Sequence, residues 1–215
     1  MKIVIQIIKA FFVCLMSLIS FIYPYKLSSK IKECKNYLYT FWIKRFLGCV
    51  GHGSRVSYPC ILQGGGNKNI RIGHNTSIQG HVVLGCWTQY GDNQFFNPSI
   101  IIGSHCNIGE YNQITACNGI TIGDGLLTGR FVYIGDNSHG GLTREEAPIP
   151  PVKRKLFSKG EIRIGNNVWI GDKVTILAGV TIGDNVIIGA NSVVTHDLPN
   201  NCVAAGVPAR VLKKL

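Results

Sequence analysis

The segment with the clearest chemical potential lies between Ile134 and Ile162 and contains a histidine with a carboxylate nearby. The histidine is His139, and Asp136 precedes it by three residues. A histidine side chain changes its charge near neutral pH, so it can take a proton from one group and give it to another. Long irregular segments inside a regular fold usually serve a function. We therefore expect residues 136–161 to form an active-site loop.

The sequence on both sides of this loop repeats with a period of six residues. Downstream of the loop, the repeat is a series of aliphatic residues, most of them followed by glycine. The series is Ile164, Ile170, Ile176, Ile182, Ile188 and Val194. Helices and strands have periods of about 3.6 and 2 residues, so neither explains this spacing. A triangular parallel β-helix does, because each six-residue unit forms one short strand and one corner.

The repeat also extends upstream of the loop, through most of the chain. An upstream series keeps the same spacing until the phase shifts by two residues between Ile120 and Ile122. Its members are Ile72, Ile78, Leu84, Tyr90, Phe96, Ile102, Ile108 and Ile114. Stacked repeats bury a continuous core, so we expect these side chains to point inward in a coil of about seven or more turns.

The composition is that of one repeat domain with appendages. The chain has 215 residues, and its 26 glycines suit a fold with frequent tight corners. The net charge of +11 favours an anionic partner, such as a phosphorylated cofactor or a lipid. Nucleic acid is not expected, because basic and aromatic residues are not interleaved. The eight cysteines form no CxxC pair, which favours free thiols in a reducing compartment and no metal site.

The N-terminal segment differs from the repeat. Residues 3–25 are apolar apart from Gln6, Lys9 and two serines, and four lysines follow within residues 26–35. The uncharged part, residues 10–25, is short for a membrane span of about 20 residues. Three interpretations remain open for residues 1–25. They are attachment to the cytoplasmic face of a membrane, packing against the protein's own core or oligomer, and a cleaved signal peptide.

The next segment, residues 26–50, has the composition of a basic helix. Its large apolar residues fall on one possible helix face. They are Tyr37, Leu38, Phe41, Trp42 and Phe46. We expect this face to pack against the core.

Four motifs within residues 72–215 resemble those of the hexapeptide-repeat O-acetyltransferases, including the galactoside, maltose, xenobiotic, colanic-acid and capsule-type enzymes. They are Ile122-Gly-Asp, Ile134-Gly-Asp-Asn-Ser-His139, Ile164-Gly-Asn-Asn-Val-Trp169-Ile-Gly and Ala204-Ala-Gly-Val-Pro-Ala-Arg210. The resemblance implies an all-β fold, with a left-handed parallel β-helix at residues 51–200, after a helical extension at residues 1–50. Residues 201–215 would form a C-terminal tail. It also implies a homotrimer with active sites at the subunit interfaces.

The resemblance further implies acetyl transfer from acetyl-CoA to a sugar hydroxyl, in the synthesis of capsule, exopolysaccharide or O-antigen. In this family a loop histidine is the general base, a role that falls on His139. Neutral imidazole can remove the hydroxyl proton during attack on the thioester, and Asp136 is the candidate for orienting it. Gly109 stands where relatives carry an acceptor-contacting asparagine, so Asn112 is the candidate substrate-binding residue.

Cofactor contacts are implied by the same resemblance. Trp169 matches a tryptophan beside the pantetheine arm, and Ala190 and Thr195 match other contacts to acetyl-CoA. Arg210 and Lys213 match basic positions near the adenosine phosphates. Cationic side chains are chemically suited to that place, since arginine can bind phosphate through two hydrogen bonds.

Two alternatives to sugar acetylation remain open. A serine acetyltransferase would share the fold, but that family usually carries a larger helical N-terminal domain. A non-catalytic hexapeptide scaffold would not require the cofactor-binding series. Zinc catalysis, as in related carbonic anhydrases, is not expected, because the sequence has no pair of histidines four residues apart. The expected location is the cytoplasm, with attachment to the inner face of the membrane as an option.

Overall fold

The molecule is built around a coil of short parallel strands that two helices precede. The structure, a computed structural model, describes residues 1–141 and 143–215. Helix α1 spans Lys2–Ile22 and helix α2 spans Tyr25–Ile43. Each turn of the coil then supplies one strand to each of three parallel sheets. The parallel β-helix expected from the hexapeptide repeat is therefore confirmed.

The strands follow one another along the coil and are interrupted by two excursions. The first two turns comprise β1 (Cys49–Val50), β2 (Arg55–Val56), β3 (Cys60–Gln63), β4 (Ile70–Ile72), β5 (Ser77–Ile78) and β6 (Val82–Cys86). A hairpin of β7 (Gln89–Tyr90) and β8 (Gln94–Phe95) follows. The next two turns comprise β9 (Ser99–Ile102), β10 (Asn107–Ile108), β11 (Gln113–Ala116), β12 (Gly119–Ile122), β13 (Leu127–Thr128) and β14 (Tyr133–Gly135).

The second excursion and the end of the coil complete the chain. The excursion contains β15 (Ser138–His139) and β16 (Leu156–Phe157), which pair antiparallel. The last strands are β17 (Ile162–Ile164), β18 (Trp169–Ile170), β19 (Thr175–Ile176), β20 (Thr181–Ile182), β21 (Val186–Ile188), β22 (Val193–Val194), β23 (Cys202–Gly206) and β24 (Ala209–Lys214). Two short 3-10 helices lie at Asn67–Asn69 and Pro151–Lys153.

The three sheets are visited in the same order on every turn. Sheet one contains β1, β4, β9, β12, β17 and β20. Sheet two contains β2, β5, β10, β13, β18, β21, β23 and β24. Sheet three contains β3, β6, β11, β14, β19 and β22.

The aliphatic series forms columns of buried side chains inside the coil. On sheet one, Ile72, Ile102, Ile122, Ile164 and Ile182 stand in register on successive strands, each no more than 3% exposed. A strand buries every second residue on one face, so each repeat places one aliphatic side chain above its equivalent one turn below. The six-residue period is thus the direct cause of the continuous core.

Two grid positions do not belong to that core, and the number of turns is smaller than expected. Tyr90 and Phe96 keep the six-residue spacing by coincidence, because residues 87–98 leave the coil to form the β7–β8 hairpin. Within the described part of the chain, sheets one and three have six strands each. The coil therefore makes six complete turns, and Leu198, which pairs with Ile182, and strand β23 begin a seventh, slightly short of the number expected.

Helix α2 closes the first turn of the coil, but with a different face from the one expected. Tyr39 Oη accepts a hydrogen bond from Cys60 N at 3.1 Å, and Thr40 Oγ1 accepts one from Val56 N at 3.0 Å. Ile43 is buried. The side chains of α2 thereby satisfy backbone N–H groups of β2 and β3 in the first turn of the coil. Without the helix, this strand edge would be open for pairing with another chain.

The residues expected to pack on the core remain exposed, four of them on α2 and Phe46 just after its end. Tyr37, Leu38, Phe41, Trp42 and Phe46 are all between 44% and 63% exposed. The helix also ends at Ile43, earlier than residue 50, because β1 of the coil already starts at Cys49.

The two termini of the chain contrast in how they meet the coil. Helix α1 buries none of its residues in this chain, and it is long and apolar enough to cross a membrane by length and composition. At the other end, the segment expected to be a tail forms the β23–β24 hairpin, and β23 pairs with β21. Sheet two is thereby extended over the top of the coil.

Candidate active site

The two excursions meet beside sheet three and form one unit. Gln94 on β8 bonds both backbone groups of Leu156 on β16. Its Nε2 donates to Leu156 O at 3.0 Å, and its Oε1 accepts from Leu156 N at 2.8 Å. This amide therefore pairs with β16 as a neighbouring strand would, and fixes the first hairpin against the loop that carries His139.

His139 lies on β15 with its ring exposed. Its Nδ1 is 3.1 Å from Tyr90 Oη, and the two ring centroids are 5.4 Å apart at an angle of 62°. Tyr90 Oη also donates a hydrogen bond to Val152 O at 3.1 Å. The sequence did not single out Tyr90 as a site residue, because its spacing assigned it to the core.

Asp136 does not contact His139 and instead holds a corner of the coil. Its buried carboxylate accepts hydrogen bonds from the backbone N–H groups of Cys117, Asn118 and Gly119 at 2.7–2.8 Å. From Ile114 to Ile122 the spacing is eight residues rather than six, so this corner has two extra residues, and the Asp136 carboxylate pairs with the backbone N–H groups there. The structure thus departs from the prediction that Asp136 orients the imidazole.

Two cysteines beside Asp136 are kept as neutral thiols. Burial, and then the nearby Asp136 carboxylate, raises the pKa of Cys117 to about 12 and that of Cys86 to about 11. A thiolate is the reactive form of cysteine, so neither side chain is a nucleophile at pH 7. Chemistry at this site would then rest on His139.

A cleft of about 290 Å³ opens between His139 and the outer face of sheet three. Trp87 and Tyr133 contribute aromatic walls, and Gln113, Thr115 and Asn137 contribute polar groups. Trp87 Nε1 donates to Thr115 Oγ1 at 3.1 Å. Apolar walls with a few placed polar groups are typical of small-ligand sites, so the cleft can hold an acceptor next to the imidazole.

Glycine shapes the floor of this cleft. Gly85 and Gly135 stand in register with Thr115 on the neighbouring strands of sheet three. A side chain at Gly135 would lie within 2.3 Å of Tyr133 Oη, and one at Gly85 would crowd Thr115 and Trp87. The missing side chains make room for the groups that line the cleft.

Asn112 is not available to an acceptor. It is 1% exposed. Its Oδ1 accepts a hydrogen bond from Val132 N at 2.7 Å, and its Nδ2 donates to Thr128 Oγ1 and Gly129 O. All of its polar atoms are used inside the coil, so its proposed role in substrate binding is wrong. Its neighbour Gln113 points outward into the cleft instead.

Three of the residues predicted to bind the cofactor lie in a row on the outer face of sheet two. Trp169, Ile187, Val203 and Lys213 stand in register on β18, β21, β23 and β24. Arg210 pairs with Ala205, two residues beyond Val203, and is exposed. Three strand spacings separate Trp169 from Lys213, or about 14 Å. An apolar strip ending in two cations suits an apolar arm that carries phosphates.

Ala190 and Thr195 lie farther along the last turn. Ala190 is exposed at the corner after β21, and Thr195 directly follows β22. Thr195 Oγ1 is 2.7 Å from His196 Nδ1. The two residues flank one strand of sheet three, whereas the row from Trp169 to Lys213 is on sheet two.

The histidine and the row do not meet within one chain. His139 follows β14 of sheet three and precedes β17 of sheet one, so it lies at the corner between those two sheets. In a three-faced coil, this corner is opposite the face formed by sheet two. Among the described residues 1–141 and 143–215, no three His, Cys, Asp or Glu side chains are grouped where they could hold a metal ion.

Comparison with known proteins identifies the family. Residues 161–196 match the family described as bacterial transferase hexapeptide (six repeats). The chain is 34% identical over 163 residues to a protein named as the lipopolysaccharide biosynthesis O-acetyl transferase WbbJ of Escherichia coli, covering 74% of this chain and 78% of that protein. The chain belongs to the hexapeptide-repeat O-acetyltransferases. It is an acyltransferase, and acetyl-CoA is its co-substrate.

Other relatives agree with this assignment. The galactoside O-acetyltransferase of Escherichia coli is 41% identical over 138 residues, which cover 58% of this chain and 63% of that enzyme. A solved galactoside acetyltransferase in complex with coenzyme A has a TM-score of 0.54 and 32% identity, over 81% of this chain and 68% of that one. AntD, an N-acyltransferase from Bacillus cereus, shares the fold with a TM-score of 0.64 and 24% identity, over 81% of this chain and 88% of that one.

The candidate site contains residues that the sequence did not indicate. Tyr90, Trp87 and Gln94 all come from residues 87–98, where aromatic and polar residues replace the aliphatic–glycine pattern. That loss of pattern was a usable signal of an excursion, because a coil corner has no room for twelve such residues.

Proposed function

We propose that this acetyltransferase modifies a hydroxyl group of a sugar in a cell-surface polysaccharide, with His139 as the general base. The observation that carries the proposal is the exposed imidazole at the edge of an aromatic and polar cleft, on a loop that its neighbours hold in place. Relatives named for lipopolysaccharide and polysialic acid O-acetylation support the polysaccharide setting.

In the proposed reaction, the imidazole of His139 removes the proton of the acceptor hydroxyl while the hydroxyl oxygen attacks the carbonyl carbon of the thioester. The new ester bond forms, the carbon–sulfur bond breaks, and the proton passes from the imidazolium to the departing thiolate. A sugar hydroxyl is a weak nucleophile at pH 7, so proton removal during the attack is the step that a base must supply. The buried thiols of Cys86 and Cys117 have no part in this direct transfer.

The acceptor is placed in the cleft on sheet three. Trp87 and Tyr133 offer ring faces and edges to the apolar side of a sugar, and Gln113, Thr115 and Asn137 offer hydrogen-bonding groups to its hydroxyls. Thr115 Oγ1 already accepts from Trp87 Nε1, which keeps the indole in place at the rim of the cleft. These residues replace Asn112 as the proposed acceptor contacts.

Acetyl-CoA is placed along the row on sheet two. Trp169 is 52% exposed and can lie along the pantetheine arm, while Arg210 and Lys213 meet the phosphates. Ala190 and Thr195 border the path from this row toward sheet three. The +11 net charge attracts the anionic co-substrate to the surface.

The active site is proposed to form between neighbouring copies in a homotrimer of left-handed coils. His139 and the row around Trp169 lie on opposite sides of one chain, so one copy cannot bring both to the same thioester. A neighbouring copy whose sheet two packs against the His139 corner brings the imidazole and the thioester together. A closed ring of three copies repeats the same contact three times.

Helix α1 is proposed to attach the enzyme to the cytoplasmic face of a membrane. It is apolar, and none of its residues is buried in this chain. Helix α2 supports the idea, because Leu27, Ile31 and Leu38 are exposed along the side opposite Thr40. Lysines near such an apolar surface favour anionic lipids by about 1 kcal/mol each.

An acceptor screen tests the proposed reaction. Release of CoA from acetyl-CoA is measured with sugars, sugar nucleotides and oligosaccharides, with serine, and without an acceptor. We expect release that depends on a sugar, with the acetyl group recovered as an ester on that sugar. Release that depends on serine would point to a serine acetyltransferase, and release with none of the sugars would contradict a sugar acceptor.

A further inference from the structure

We propose that Tyr90 is a positioning residue that fixes the tautomer of His139, so that Nε2 is the basic nitrogen. The inference rests on the proposed role of His139 as general base. It starts from one hydroxyl group with two partners, His139 Nδ1 and Val152 O, each 3.1 Å away.

The hydrogen bonds of Tyr90 decide which nitrogen carries the proton. A phenol has one hydrogen to donate, and its oxygen can also accept. The carbonyl of Val152 can only accept, so the phenol hydrogen goes to it. The same oxygen then accepts a hydrogen bond from His139, which requires a proton on Nδ1. In a neutral imidazole, Nε2 is consequently unprotonated and is free to remove the proton of an acceptor.

The reverse arrangement breaks one of the two observed contacts. If Nδ1 were unprotonated, the phenol hydrogen would have to turn toward it, and Val152 O would lose its donor. The observed pair of contacts is satisfied in full only with Nδ1 protonated. This protonation also persists when Nε2 takes up a proton, so Tyr90 remains hydrogen-bonded throughout the reaction.

Tyr90 is held in place by its own hairpin. Gly91, with φ of 58°, follows it at the turn, and Gln94 clamps the returning strand to Leu156. At the base of the hairpin, Phe96 N donates to Thr88 O at 2.8 Å. The phenol thus approaches the imidazole from an anchored element.

A carboxylate takes this position in many catalytic triads, but here a neutral hydroxyl does. The carboxylate of Asp136 is directed to the 117–119 corner, and Glu146 Oε2 accepts from Gly141 N. Among the described side chains, the hydroxyl of Tyr90 is the one that hydrogen-bonds to the His139 ring. The first excursion of the coil therefore takes over the role that the sequence had suggested for Asp136.

The variant Tyr90→Phe tests the proposal, because it keeps the ring contact with His139 and removes the hydroxyl alone. We expect kcat to fall about three- to tenfold, as for the loss of one ordinary hydrogen bond, with KM for both substrates unchanged. NMR of the full-length enzyme with ¹⁵N-labelled histidine should show that the Nδ1–H form of His139 no longer predominates.

Tyr111→Phe is the matched control. Tyr111 is an exposed tyrosine that stacks on Phe131, away from the loop, so kcat of this variant and the tautomer of its His139 should match the wild type. If Tyr90→Phe leaves kcat and the tautomer unchanged while His139→Ala is inactive, the role of Tyr90 is overturned and the base stands. If His139→Ala is itself fully active, the proposed base is wrong, and the role of Tyr90 with it.

Discussion

At the scale of single residues, the loop separates two polar side chains that the sequence places three positions apart. His139 is exposed and available for proton transfer, whereas Asp136 is buried under three backbone hydrogen bonds. A carboxylate beside a histidine in sequence suggests a catalytic pair, but chain spacing does not determine which way each side chain points. The structure makes Asp136 a stabilising residue.

The variant Asp136→Ala should therefore lose stability. Its removal leaves the N–H groups of Cys117, Asn118 and Gly119 without an acceptor, and a buried unsatisfied group costs about 1–3 kcal/mol. We expect the free energy of unfolding in denaturant to fall by about 3 kcal/mol or more, since several groups are affected at once. Asp124→Ala is the control, because exposed Asp124 accepts one hydrogen bond, from Ser104 N. Equal, small losses in both variants would contradict the buried role of Asp136.

At the scale of elements, the sequence predicted the regular parts and missed the irregular ones. The buried column that contains Ile72, Ile102 and Ile122 follows from the six-residue period, which is visible in the sequence. Each repeat carries an aliphatic residue at the buried position, so the pattern predicts burial directly. The face of α2 could not be predicted in this way. Both sides of that helix carry apolar residues, and Tyr39 and Thr40 face the coil because their hydroxyls pair with open strand groups.

The candidate site could also be predicted only in part, because it lies in the irregular segments of the chain. His139 stands in an obvious break of the repeat, but its partner comes from a second break, 49 residues earlier in the chain. That break happened to preserve the six-residue spacing at Tyr90 and Phe96. Contacts between two excursions depend on how each leaves the coil, which no local pattern specifies.

For helix α1, we predict binding to membranes that contain anionic lipid. Full-length enzyme should sediment with vesicles of anionic lipid, and a truncated chain that begins at Tyr25 should remain in solution. An apolar helix with adjacent lysines combines burial in the lipid boundary with attraction to its charge. The truncated chain should keep its oligomeric state and activity, because α1 has no buried residue.

Two results would count against membrane attachment. Full-length enzyme that ignores both anionic and neutral vesicles would show that α1 has no lipid partner. A truncated chain that dissociates would instead identify α1 as part of the subunit contact.

At the scale of the whole molecule, the proposed active site is built from two copies of the chain. His139→Ala removes the base, and Arg210→Glu with Lys213→Glu on one chain repels the phosphates, so each variant alone should be inactive. Mixed trimers should recover about a quarter of wild-type activity. In a trimer of random composition, this is the chance that a site combines an intact His139 from one copy with intact Arg210 and Lys213 from its neighbour. Activity is measured after the two chains are produced together, with each variant alone as control. Mixed trimers without activity would place the site within one chain.

The replacement of His139 by alanine tests whether this histidine is the general base. With acetyl-CoA and a sugar acceptor, kcat of His139→Ala should fall by about 10²- to 10⁴-fold, the usual contribution of a general base. Binding of acetyl-CoA, oligomeric state and unfolding should match the wild type. The control is His105→Asn, which replaces another exposed histidine, at φ of 58°, with a residue that tolerates this conformation. A kcat equal to that of the wild type in His139→Ala would contradict the account.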